Sequence, residues 1–175
     1  MTKHGIISPT IDRLDTEEKY PIIRLDTANS FIYYIFKSDY TILKLDLKND
    51  TTYVVSDYMP SKFRKRSISV DQVSTLSLWD AARKLGTNSS NLFAIEFIES
   101  DLLVVWYNLT DEFYDTRDDW NIDYYGVLFD LPDFRNPREF SLPGKLLGMY
   151  KNNLMILEND DPLQFTIGYY ELLNR

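Results

Sequence analysis

Along the chain, apolar and polar positions either alternate or gather into short apolar runs, and Asn, Asp, Pro and Gly bound those runs. That is the signature of strands and tight turns. Strands are predicted over 31–36 (FIYYIF), 41–47 (TILKLDL), 51–55 (TTYVV), 92–98 (LFAIEFI), 102–107 (LLVVWY), 124–131 (YYGVLFDL), 138–142 (REFSL), 145–150 (KLLGMY), 153–158 (NLMILE) and 163–172. The joints Ser38-Asp39, Lys48-Asn49-Asp50 and Glu99-Ser100-Asp101 are too short for crossovers and suit antiparallel hairpins. The fold class expected is therefore all-β and antiparallel, built from four-stranded, propeller-like sheets as a partial propeller or an open sandwich. One domain spans 1–175, with 1–19 a loosely ordered N-terminal arm.

Helix is expected in two places. At 78–85, Ser77 can cap, Leu78, Ala81, Ala82 and Leu85 share a face, and Gly86 follows as a stop. At 111–120, the acidic start of DEFYDTRDDW suits a helix N-terminus, while its Thr and paired Asp suit a loop equally.

A repeat is visible in how strands end. Leu45-Asp46-Leu47, Phe129-Asp130-Leu131 and Tyr170-Glu171-Leu172 share an apolar, acidic, Leu ending, and the closing leucines lie 84 and 41 residues apart. Those spacings fit two steps and one step of a unit of about 40–45 residues, the length of a four-stranded blade. The spacing then requires either a middle unit with insertions around 57–91 and 110–123 or a chance periodicity. A similar ending, Trp106-Tyr107-Asn108-Leu109, falls out of phase. The acidic residue at each ending can accept turn amides.

Carried on the segments FIYYIFKSDYTILKLDLKNDTTYVV and YYGVLFDLPDFRNPREFSLPGKLLGMYKNNLMILENDDPLQFTIGYYEL, the pattern over 31–55 and 92–172 resembles blades of six-bladed β-propeller proteins, particularly uncharacterised exported members from gut Bacteroidetes. The resemblance implies a closed ring and an exported protein with a signal and a lipidated cysteine, neither of which this sequence shows. With three to four blades of chain, the alternatives are a homodimer completing the ring, a fragment, or an open stack of sheets. Compartment stays open between a trimmed exported protein and a cytoplasmic one.

Composition narrows the chemistry. Of 175 residues, 44% are hydrophobic and 26% charged, and the formal charge is −8, which repels phosphate backbones and excludes nucleic acid as the expected partner. The basic run Lys62-Phe63-Arg64-Lys65-Arg66 reads as a solvated turn. Cysteine is absent, removing disulfides and thiol chemistry. His4 is the single histidine and lies in the arm, so neither a Ser-His-Asp triad nor a His-based metal site is expected. No segment is long and apolar enough to span a membrane. The sequons at Asn49, Asn88 and Asn108 matter only in a eukaryotic secretory route.

The remaining candidates are an acidic run, Asp111, Glu112, Asp115, Asp118, Asp119 and Asp123, and an unusual aromatic content of 13 Tyr, 10 Phe and 3 Trp. The carboxylates miss the spacing of a Ca²⁺ loop and read as a solvated loop; a glycosidase pair is a minor alternative. Flat rings beside carboxylates suit sugar rings or protein hot spots. The binding residues expected are Trp79, Tyr114, Asp118, Asp119, Trp120, Tyr124 and Tyr125. The function expected is a non-catalytic binding module for a protein or glycan partner, without cofactor or metal. The alternative is a small acidic immunity-type inhibitor of a basic toxin or nuclease, for which opposite charge would speed association.

Overall fold

The computed structural model describes residues 20–37, 39–159 and 164–172. Among these residues eleven strands form three antiparallel meanders. β1 (Pro21–Asp26), β2 (Phe31–Phe36), β3 (Asp39–Asp46) and β4 (Thr51–Ser56) make the first sheet, and β5 (Ser90–Ile98), β6 (Asp101–Leu109), β7 (Ile122–Asp130) and β8 (Arg135–Leu142) the second. β9 (Lys145–Tyr150), β10 (Asn153–Asn159) and β11 (Thr166–Glu171) make the third. The class is all-β and antiparallel, an open stack of sheets with two short helices, α1 (Leu78–Thr87) and α2 (Asp111–Thr116). Among the described residues no helix is long and apolar enough to cross a membrane.

The second sheet is the middle layer, and β6 explains why. Its run Leu102 to Trp106 is fully buried on both faces. Leu102, Val104 and Trp106 pack with Tyr33, Ile35, Tyr40 and Ile42 of the first sheet. Leu103 and Val105 pack with Leu146, Leu154 and Ile156 of the third. A strand covered on both faces needs no polar alternation, so it reads as a continuous apolar run. Each such side chain contributes about 1.5–3 kcal/mol by leaving water.

Local chemistry closes the hairpins. Asp46 accepts from the Lys48 amide (2.8 Å), the Asn49 amide (3.2 Å) and Asn49 Nδ2 (2.8 Å), and these bonds, the Asn49 side chain first, hold its carboxyl below the usual range. Asp26 and Asn29 repeat the arrangement two hairpins earlier, between β1 and β2. The Lys151-Asn152 turn has both residues at positive φ, as a two-residue hairpin of right-handed twist requires.

The three apolar-acidic-Leu endings fall at the ends of β3, β7 and β11, the third strand of each meander. Leu47 donates to the Ser30 carbonyl (3.0 Å) and Leu131 to the Ser100 carbonyl (3.0 Å), each reaching the first turn of its own sheet. The 84-residue spacing is therefore one sheet step and contains no intervening sheet; residues 57–89 and 110–121 supply the extra length. The Trp106–Leu109 ending is out of phase because it closes a second strand.

Other expectations need correction. β1 was not anticipated, because Arg24 and Asp26 interrupt its apolar pattern; pairing with β2 and the Arg24–Glu96 ion pair to β5 (2.7 Å) hold it. α1 runs through Gly86 to Thr87. α2 ends at Thr116, where Arg117 is left-handed (φ 62°), and a 3₁₀ turn follows at Asp119–Asn121. The arm 1–19 with His4, Ser38 of the first hairpin joint and residue 163 of the last expected strand lie outside the described residues.

Candidate functional site

The turns at 27–30, 99–100 and 151–152 share one end of the stack, and both helices sit at the other. The helical end is where the sequence-predicted binding residues gather, and most of them are engaged in building it. Ser77 Oγ caps α1 by accepting from the Asp80 amide (3.1 Å), and Thr110 Oγ1 caps α2 by accepting from the Phe113 amide (3.1 Å). Tyr114 is buried and donates its hydroxyl to the Ala82 carbonyl (2.9 Å). That approach explains the glycine within α1: a Cβ on Gly86 would sit 2.1 Å from the Tyr114 oxygen. Trp79 packs edge-on against Tyr114 (5.1 Å), and the Arg117 guanidinium covers the indole at 3.3 Å. Arg83 binds Asp111 (2.7 Å) and Asp115 (2.6 Å), tying α2 to α1.

Tyr125 lies on the face toward the first sheet, stacked on Trp106 at 5.7 Å; burial first, and the Asp123 carboxylate second, push its hydroxyl pKa up. Tyr124 points to the opposite face, against Phe93 and Tyr107. The structure thus separates the two neighbours, as strand alternation dictates.

Three of the expected residues meet in one cleft. Asp118 accepts from the Trp120 amide (3.0 Å), and Thr110 donates to the Asn121 carbonyl (2.5 Å), which pins the 3₁₀ turn and leaves the Trp120 indole 43% exposed. Asp119, Trp120 and Tyr124 form one wall of a cleft of about 170 Å³, and Pro143, Gly144, Lys145 and Leu157 form the other. Sequence reasoning missed that second wall. Its signal was the Pro143-Gly144 corner between two strands, where a Cβ on Gly144 would meet the Leu157 carbonyl oxygen at 2.2 Å. Gly144→Ala is expected to destabilise the fold by about 1–3 kcal/mol, because rigid backbone must move, and to displace Leu157 in the cleft wall; thermal denaturation and Trp120 fluorescence of the variant check both.

In the basic run Lys62, Arg64 and Lys65 are exposed, as a solvated turn requires, and Phe63 anchors the run to the core. Phe63 is buried beside Tyr40 and Trp106, Arg64 donates to the Thr87 (2.8 Å) and Leu109 (3.2 Å) carbonyls, and Asn108 Nδ2 donates to the Lys62 carbonyl (3.0 Å). Asn108 is 1% exposed, so its sequon is closed to modification. Among the described residues no group of three or more His, Asp or Glu side chains could hold a metal ion. No protein-family model matches the chain, and neither a curated protein nor a solved structure shows significant similarity to it.

Proposed function

We propose that this chain is a non-catalytic interaction module that docks a protein partner at its helical end, taking a basic side chain of that partner into the Trp120 cleft. The exposed indole in a small cleft beside the acidic segment 111–123 carries this reading. At about 170 Å³ the cleft is below the ~300–1,000 Å³ of sites that enclose a small molecule. A single side chain suits it better, in the manner of an interface hot spot.

Charge selects the partner. Residues 111 to 123 carry six carboxylates and one arginine, while the whole chain carries −8. A lysine or arginine arriving there finds an indole face for cation–π contact and the Asp119 carboxylate for pairing. Lys145 on the opposite wall can donate to a carbonyl of the same partner. A basic toxin or nuclease neutralised by an immunity-type protein is one such partner, and the acidic field would speed its capture. We also read the stacked meanders as blades of the propeller type; the repeated third-strand endings, and the Leu–Ser bond that two of them make, support that reading.

Titrating the protein with an arginine-rich peptide tests the docking site. Wild type should bind more weakly as ionic strength rises. Trp120→Ala should lose at least about 2 kcal/mol, roughly thirtyfold in affinity, as hot-spot truncations do, with unchanged circular dichroism. Equal binding by Trp120→Ala, or equal affinity for a neutral peptide, defeats the proposal; loss of glycan-array binding in the same variant would assign the indole to a sugar instead.

A further inference from the structure

The geometry points to β11 as a strand-pairing edge through which two copies of this chain associate as a two-fold dimer. In the first and second sheets the third strand is internal, because β4 pairs with β3 and β8 with β7. β11 is the third strand of its meander, and among the described residues its far edge pairs with nothing.

That edge also lacks the protection the other sheet edges carry. Exposed edges are normally blunted by proline, basic residues or bulges. β8 contains Arg135, Pro137 and Arg138, with Asn136 left-handed. β1 begins at Pro21 and carries Arg24. The register shifts between β3 and β4, β5 and β6, and β9 and β10 place irregularities on the remaining edges. β11, TIGYYE, has no proline and no basic residue, and the bulge in its hairpin falls on β10, between Leu157 and Asn159.

Side-chain placement selects a second copy and a register. Ile167 and Tyr169 pair with Leu157 and Met155, on the face away from the second sheet, and Tyr169 is 60% exposed against Tyr150. A two-fold axis at Gly168 sets Ile167 of one copy opposite Tyr169 of the other, twice, an aromatic and β-branched pairing that favours adjacent strands. An axis at Tyr169 would instead set Ile167 opposite Glu171. The Gly168 register joins two three-stranded sheets into one of six strands. Each copy carries −8, so salt should strengthen the dimer by screening the repulsion between copies.

Sedimentation equilibrium of the intact chain at sub-millimolar concentration tests the proposal, with twice the 20.7 kDa chain mass expected and more dimer at higher salt. Tyr169→Lys should give monomer with unchanged circular dichroism. The chain has no cysteine, so the Ile167→Cys/Tyr169→Cys double variant should oxidise to a disulfide-linked dimer. A monomer throughout, or a dimer that survives Tyr169→Lys without cross-linking of the double variant, overturns it. Neither result bears on the Trp120 cleft, which is read by peptide binding.

Discussion

Replacing Arg138 with methionine is expected to destabilise the protein by about 2–3 kcal/mol, because it leaves two facing carboxylates without their shared cation. β6 and β7 set Asp101 directly opposite Asp130, and like charges so placed repel. Arg138 of β8 reaches over with one nitrogen to both, bonding Asp101 and, at 3.1 Å, Asp130. Asp101 is 13% exposed at its side chain and Asp130 40%. Breaking a fully buried pair costs about 3–5 kcal/mol, and partial screening by solvent lowers that figure here. Arg138→Lys should recover only part, since a shorter, more strongly hydrated ammonium loses more on leaving water to sit between two carboxylates. The Asp101→Asn/Arg138→Met double variant should recover most of the loss, because the repulsion goes with it; urea midpoints for the four proteins form the cycle that measures the coupling.

Glu139→Ala is expected to cost about 2–3 kcal/mol and to flatten the acid limb of the stability profile. Glu139 accepts from the Tyr58 hydroxyl (2.6 Å), the Ser61 amide (2.9 Å) and the Ser61 hydroxyl (2.6 Å). It thereby clamps the start of the long 57–89 connection onto β8. A hydrogen bond to a charged group contributes about 1.5–3 kcal/mol, and because Ser61 is exposed to competing water the three bonds together are worth about as much as one buried bond of this kind. Burial pushes the Glu139 pKa up, but bonds from the Ser61 and Tyr58 side chains and the Ser61 amide, with the Lys62 charge, outweigh it and leave the carboxyl below the usual range. A depressed folded pKa stabilises fully above the unfolded value of about 4.3 and loses that contribution as pH falls through the folded value. The gap between wild type and Glu139→Ala should therefore be constant near neutrality and close below about pH 4. Glu139→Gln, which keeps the shape without the charge, should show the intermediate loss and the same flattened acid limb. Denaturant titrations across pH read both effects.

The strands from Phe31 onward were legible because each rests on a local signal: an apolar run, a period of two, or an Asp and Asn that satisfy a turn. β1 was not, because six residues interrupted by Arg24 and Asp26 carry too little pattern and depend on β2 and Glu96 for their place. The third-strand endings were visible as a repeat, yet their spacing suggested one sheet too many. Insertions lengthen a connection without changing the step between sheets, and sequence separation alone cannot tell the two apart.

The candidate site was half legible. Asp119, Trp120 and Tyr124 lie close in sequence and share a wall. Lys145 and Leu157 come from later strands, and only the packing of the third sheet on the second brings them across. Trp79 and Tyr114 look alike in sequence to Trp120, yet α2 docking on α1 buries Tyr114 and covers the Trp79 ring with Arg117, while the Asp118 cap turns Trp120 outward.

By itself the sequence determined the β class, the hairpin joints, the helix at Ser77 and an acidic, cysteine-free surface, since these follow from backbone sterics, side-chain period and formal charge. The tertiary structure alone decided the layer order, the single sheet step hidden in a long spacing, the edge position of β11 among the described strands and which tryptophan stays in solvent. Those outcomes depend on which faces meet, and apolar faces attract without direction until long-range packing chooses their partners.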